Sequence, residues 1–362
     1  MTEPLLYSAE PVFSVDGTVQ GALARDLIRL DVLESTEGLK TMVLRLAGTP
    51  AHPDVPEVPE LYLDGSTVDF GREIEVALGP SSGARTVFKG LLSAIEAVYT
   101  SADQPQVVLY AEDRLMELRT TRRFRTWENM SDADIATQIA NEHGLTPQVN
   151  ADGPTYDVVQ QWNQSDLAFL RERALPIQAE VTLDDRTLVF ESRTARRGTE
   201  ITLIAGNDLL DVQVRADLAH QRSTVKVSGY DAMERDVIEE EADGGAISGE
   251  VTGGKTGPDV LDRAFGPRVS HRVRDVPLVD GEARAWATAE MLRRARGFVT
   301  AAGTTHGTPD MVIGSKLHLD RVGAPFTGSG YYVTRVHHSY DRGNGFRTHF
   351  EAERATVNEA GG

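Results

Sequence analysis

Gly249-Glu-Val-Thr-Gly-Gly254-Lys255-Thr256 has the spacing of a phosphate-binding loop, in which backbone amides at a helix N-terminus and a lysine hold nucleotide phosphates. The setting does not suit that chemistry. No apolar strand leads into it, the acidic run Glu239-Glu240-Glu241 precedes it, and Gly257-Pro258 stands where a helix should already be propagating. A glycine-rich loop is the reading these neighbours support.

Histidine offers the next chemistry. His337 and His338 are adjacent on an expected strand, so their side chains leave opposite faces and joint ligation of one metal is awkward. His306, His318 and His349 are the remaining candidates to complete such a site, but the chain has no cysteine and no His-Glu-x-x-His spacing. Ordinary strand histidines account for them. Arg119, Arg122, Arg123 and Arg125 lie beside Phe124 and Trp127, a mixture able to stack on bases or to grip an acidic partner. The cluster is local, and a solvated loop or an ion-pair surface between subunits fits it better than nucleic acid. Carboxylates are abundant but scattered, and Gly-x-Ser-x-Gly is absent. The sequence therefore assigns no catalytic, cofactor-binding or metal-ligating residue.

Composition limits the classes further. Thirty-seven basic residues against 55 acidic ones give a formal charge of -18, the opposite of the basic surface that phosphate neutralisation needs. With 362 residues and 40% hydrophobic content the chain can form two to four domains. Absence of cysteine excludes disulfides without deciding the compartment. Met1 to Val12 lacks a basic segment followed by an apolar one, and no stretch reaches the roughly 18 apolar residues of a membrane helix, so a soluble protein made in the cytoplasm is expected.

The elements that position these residues follow from periodicity. Asp26 to Glu34, Thr41 to Leu46, Gly71 to Leu78, Val87 to Tyr99 and Gln106 to Ala111 read as strands, broken at Glu37-Gly38, Gly79-Pro80 and Gln104-Pro105. Residues 1–112 thus form one antiparallel β domain. Ser131, with Asp134 three residues on, caps a helix that carries Ile135 and Ile139 and stops at Gly144; a second helix follows Ser165 and ends at Pro176. With a hairpin around Asp184-Asp185, residues 113–198 form a small α/β domain. Strands resume at Glu200 to Ile204, Leu209 to Leu218 and Thr224 to Tyr230. An acidic, glycine-rich stretch from Asp231 to Gly257 reads as loop, and Glu282 to Arg296 as a helix burying Ala285, Trp286, Ala289 and Leu292. The simplest division places a second β domain at 199–232 and 298–356, an inserted domain at 233–297 and a tail at 357–362.

An internal repeat supports two similar β domains. Gly71-Arg-Glu-Ile-Glu-Val-Ala-Leu-Gly79 echoes Gly314-Ser-Lys-Leu-His-Leu-Asp-Arg-Val-Gly323; long strands Phe88 to Tyr99 and Tyr331 to Tyr340 follow, then Leu109 to Arg114 against Phe350 to Arg354. The fold class expected is α+β, mainly β, with two antiparallel barrel-like domains and smaller α/β inserts.

Four pieces in order carry a family resemblance: Val12 to Leu46, with a hairpin at Asp16-Gly17; Phe88-Lys-Gly90 leading a long strand; Trp162-Asn-Gln-Ser-Asp-Leu-Ala-Phe-Leu-Arg-Glu-Arg-Ala174; and Gly314 to Arg354, containing Gly330-Tyr-Tyr-Val-Thr-Arg-Val-His-His-Ser-Tyr340. Together they resemble the baseplate hub of contractile phage tails and contractile injection systems, the phage late control protein D family and the hub portion of VgrG-type spike proteins. The resemblance implies a structural, non-enzymatic homotrimer without cofactor, whose two barrel-like domains per subunit join a sixfold tail tube to a threefold spike. It also implies baseplate wedge contacts, a central passage for DNA or protein cargo, assembly in the bacterial cytoplasm and residence in a phage or phage-tail-like particle. The chain stops at Gly362 without the needle of fused spike proteins, so either a separate spike or a sequence cut short of its own needle is expected. The alternative class is a cell-wall hydrolase domain.

Overall fold

A computed structural model describes residues 10–48, 61–79, 83–101, 104–196, 198–231, 234–272 and 279–358. Pro80 and all of the expected tail except Val357 and Asn358 lie outside the described residues. The fold is mainly β, built around one 13-stranded sheet.

Its first half begins with β1 (Val12–Val15) and β2 (Thr18–Val19), a hairpin turning through Asp16 and Gly17, both at positive φ. A short helix, α1 (Gly21–Arg25), leads into β3 (Leu27–Ser35) and β4 (Thr41–Ala47). The meander β5 (Glu73–Leu78), β6 (Arg85–Val98) and β7 (Gln106–Glu112) completes it, in the order β3-β4-β7-β6-β5-β1-β2. Alternation makes these strands: Met42, Leu44 and Leu46 of β4 are buried while the residues between them are partly exposed. Phe13, Leu30, Val32, Leu44, Ile74 and Val76 form the centre of this core.

The α/β unit follows. A 3₁₀ turn (Arg114–Arg119) capped by Asp113 leads to β8 (Arg122–Ser131), and Ser131 and Asp134 make the expected capping box of α2 (Asp132–Glu142). Then come β9 (Thr146–Asn150), β10 (Thr155–Ser165), α3 (Asp166–Ala174) capped by Ser165, and the hairpin β11 (Ala179–Asp184) with β12 (Thr187–Ser192). β8 pairs with β10, and β9 lies parallel to β12. Leu115, Ile135, Ile139, Phe169, Leu170 and Phe190 are its core.

The second half of the large sheet contains β13 (Glu200–Ile204), β14 (Leu209–Ala216), β19 (Val299–His306), β20 (Lys316–Asp320), β21 (Gly328–Asp341) and β22 (Gly345–Arg354). Between β14 and β19 the chain forms β15 (Thr224–Asp231), β16 (Asp236–Asp243), β17 (Lys255–Thr256), α4 (Gly257–Phe265), β18 (Val269–Arg272) and α5 (Asp280–Arg296).

Two sequence expectations change here. Thr224 to Tyr230 does not join the second β domain, because β15 pairs with β16 and β18 in a separate sheet. The acidic run is strand rather than loop: Ile238 and Ala242 of β16 point inward onto α5, while Glu239 and Glu241 face Lys226 of β15. Helix α5 buries the expected Trp286 and Ala289 together with Ala283, Ala287, Met291 and Ala295, while the expected Ala285 and Leu292 are only partly buried at the rim of these cores.

No closed barrel is formed by the described strands. The halves instead fuse edge to edge where β3 pairs antiparallel with β21, from Arg335 opposite Ser35 to Asp341 opposite Arg29.

Candidate functional site

The two halves are built on one plan. In the first, strands lie in the order β3-β4-β7-β6-β5-β1; in the second, in the order β14-β19-β22-β21-β20-β13. They diverge at the far edge, where β1 is antiparallel to β5 but β13 is parallel to β20.

Irregularities repeat with the order. The β6–β7 ladder slips between Leu92 and Ala94, opposite Ala111 and Tyr110. The β21–β22 ladder slips between Val333 and Arg335, opposite Ala352 and Glu351. In each bulge the skipped residue carries a hydroxyl that donates across the ladder: Ser93 Oγ to the Tyr110 carbonyl at 3.3 Å, Thr334 Oγ1 to the Glu351 carbonyl at 3.2 Å. Gly71 (φ 76°) and Gly314 (φ 81°) pin the same strands, their amides donating to the Leu92 and Val333 carbonyls at 2.8 Å in both cases. A second shared bulge skips Ile28 between Leu27 and Arg29, and Leu210 between Leu209 and Asp211. Bulges remove ladder hydrogen bonds, so two at equivalent positions are not a generic property of meanders. This register equates Leu92 with Val333 and Glu112 with Glu353. It therefore places Arg354 one residue away from the Arg114 counterpart that the sequence pattern suggests.

The junction between the halves is well packed. Leu30, Val32, Val336 and His338 are buried, and Tyr340 and Phe346 of the second half pack against the first half's core. His338 Nε2 donates to the Met311 carbonyl at 3.1 Å, so Nδ1 accepts the Thr348 hydroxyl at 3.0 Å. Burial pushes this imidazole down to about 3, and it is neutral at physiological pH. On the opposite face His337 bonds Asp31 at 2.8 Å and stacks on His349 at 5.3 Å. Burial opposes ionisation of Asp31, but hydrogen bonds from His337 and Arg29 outweigh it and hold the carboxyl down to about 2.

Strand edges without such a partner among the described strands include those of β14 and of the end of β6. β14 has a neighbour only on its β19 side. β6 has β7 on one side over residues 91–98, whereas β5 covers its other side only up to Leu91. The exposed residues along these edges include Ala94, Glu96 and Ala97, and Leu210, Asp211, Gln213, Arg215 and Ala216. Tyr99 just beyond β6 is 60% exposed. The sequence reading did not find these edges; the alternation of Ile95, Ala97 and Tyr99 was the available signal.

The residues singled out by type fall elsewhere. In the phosphate-loop look-alike, Gly249 and Glu250 end a 3₁₀ turn, and Lys255 and Thr256 pair with β23 (Thr356–Val357). A helix does begin at Gly257, contrary to the sequence reading, because Pro258 in a first turn needs no amide hydrogen. Its capping positions are occupied, with Thr256 Oγ1 accepting the Asp259 amide and Asp259 accepting the Thr256 hydroxyl at 2.6 Å. The arginine cluster is not a loop, since Arg122, Arg123 and Arg125 are on β8. Arg119 is held by Glu112, Arg123 by Asp166 and Arg125 by Glu142, and Trp127 is buried against Phe169. Phe124 and Trp162 stand opposite each other, both exposed. His306 and His318 are on β19 and β20, and no group of three metal-ligating side chains occurs among the described residues. The buried carboxylates Asp132, Asp166 and Glu180 each pair with arginine. No described helix is long and apolar enough to cross a membrane.

Solved structures share this fold. The 43 kDa tail protein of prophage MuSo2 from Shewanella oneidensis is 15% identical, with a TM-score of 0.69, covering 96% of this chain and 99% of that one. A tail protein from Neisseria meningitidis MC58 is 13% identical, with a TM-score of 0.64 and coverage of 96% and 97%. The E. coli c3393 protein, a type VI secretion component described as similar to the T4 tail proteins gp27 and gp5, is 12% identical, with a TM-score of 0.54 and coverage of 90% and 73%. No curated protein matches the sequence. A family model described as the Alg8 N-terminal domain matches residues 64–341, a span that takes in the first meander, the whole α/β unit and the second half of the sheet up to the end of β21. On that match, the chain belongs to the Alg8 N-terminal domain family.

Proposed function

We propose that this protein is the hub of a contractile injection machine, a homotrimer that adapts a sixfold tail tube to a threefold spike and catalyses no reaction. The observation that carries the reading is the duplicated six-strand plan with its two shared bulges. Three chains, each contributing two equivalent units, supply six docking units around one axis. The tail proteins that share the fold favour the same reading. Its partners are the tube, a spike and the wedge components, with DNA or protein cargo passing only transiently.

The excess of 18 negative charges favours a passage wall that is acidic or neutral and does not hold nucleic acid phosphates. Mass measurement and particle imaging test the proposal. The expected result is a three-chain ring at the end of a tail tube. A particle without threefold symmetry overturns the hub reading, and a passage lined mainly by Lys and Arg overturns the charge reading.

A further inference from the structure

Resting on the hub reading, we infer that β6 of one chain pairs antiparallel with β14 of the next, in the register that β21 and β3 already use inside each chain.

The repeat supplies the register. The bulges equate Arg335–Asp341 of β21 with residues 94–100 along β6. The β4 and β19 ladders equate Arg29–Ser35 of β3 with residues 211–217 along β14. Inside the chain the first strand of one half meets the fourth strand of the other. The same two positions in the reciprocal combination are both edges that lack a partner among the described strands.

Carrying the junction over places Ile95 opposite Ala216, Ala97 opposite Val214 and Tyr99 opposite Val212 on one face. On the other face it places Glu96 opposite Arg215 and Val98 opposite Gln213. The chemistry agrees with the transfer. One face is an apolar ladder, and its members already touch cores: Ile95 packs against the first core, Val212 and Val214 against the second. The other face brings together a carboxylate and a guanidinium, now held within their own chain by Tyr110 and Asp217. Tyr99 is the counterpart of Tyr340, which packs across the internal junction onto the opposite core, yet Tyr99 is 60% exposed. A contact between two different edges is head-to-tail. Such contacts either close into rings or propagate as filaments, and closure removes every open edge.

The absence of cysteine makes the register directly testable. Adjacent antiparallel pairs alternate between hydrogen-bonded and non-hydrogen-bonded geometry, so Glu96→Cys with Arg215→Cys and Ala97→Cys with Val214→Cys sample both. At least one double variant should oxidise to a covalent three-chain species that resists denaturant. Glu96→Cys with Val212→Cys, offset by about 10 Å along the strand, should not, because a disulfide tolerates at most about 7 Å between Cα atoms. Tyr99→Ala should weaken self-association at least about tenfold while leaving the circular dichroism spectrum unchanged. Threefold particles in which both matched pairs stay unlinked, or in which the offset pair links equally well, overturn the register and leave the hub reading intact. A wild-type particle without threefold symmetry overturns both.

Discussion

His338→Gln should change the acid stability of the protein in a way that its neutral-pH cost does not foretell. The wild-type imidazole is buried and held neutral, with its folded value down to about 3, whereas in the unfolded chain it titrates near 6.5. As pH falls through 6.5, the unfolded chain takes up a proton that the folded chain refuses, so folding stability declines with falling pH until about pH 3. From pH 7.5 to pH 5 the loss is about 2 kcal/mol. That figure does not depend on where below pH 4 the folded value lies. The variant lacks the titration but also lacks the nitrogen that accepts the Thr348 hydroxyl, which costs about 1–3 kcal/mol at neutral pH. The stability gap between wild type and variant, measured by urea unfolding followed through the strand circular dichroism signal, should therefore shrink by about 2 kcal/mol between pH 7.5 and pH 5. Other titrating groups are common to both proteins and cancel in the difference. A gap that stays constant to within about 0.5 kcal/mol would refute the placement of a neutral, buried imidazole at the junction.

Asp113 should show the opposite sign: burial raises its carboxyl to about 6, so ionisation above that value costs stability, and wild type should gain about 1 kcal/mol relative to Asp113→Asn as pH falls from 7 to 5. Gly257→Ala should destabilise by about 1–3 kcal/mol, because its methyl would sit 2.2 Å from Gln221 Oε1 and 2.9 Å from the Phe298 ring. Gly253→Ala, with nothing within 4 Å, should change stability by less than about 0.5 kcal/mol, and thermal melts of the pair distinguish a packed helix start from a phosphate cradle. Arg173→Met should cost about 3–5 kcal/mol, since it leaves the fully buried Asp132 with only the Tyr156 hydroxyl as side-chain donor, and faster hydrogen exchange in α2 and β10 would report it.

Much of this architecture is written in local signals. The Ser131–Asp134 capping box, the Asp16-Gly17 turn and the alternation in β4 depend on residues within a few positions of each other, and sequence patterns register such short-range chemistry directly. β16 escaped because its exposed face is Glu-rich; the inward Ile238 and Ala242 were outweighed by glutamates whose partner, Lys226, is distant in sequence. The repeat was visible, but not its register, because a bulge at Ser93 or Thr334 shifts the pleat by one residue and leaves composition unchanged. The open edges were the least legible. Whether Ile95 or Val214 lies at an edge or inside a sheet depends on which strand stands beside it, and identical alternation serves both cases.

The fusion of the two halves through β3 and β21 also bears on how such a scaffold can change over generations. A ring of six identical polypeptides would carry every substitution at all six positions, including those where it does harm. Two units on one polypeptide can drift apart. Gly90 and Tyr331 already show that freedom: at the first position any side chain would strike the Glu112 carbonyl at 2.3 Å, while at its counterpart a buried tyrosine bonds the Phe326 carbonyl. A lineage with this fusion can adjust one unit to a new neighbour while the other keeps its old one.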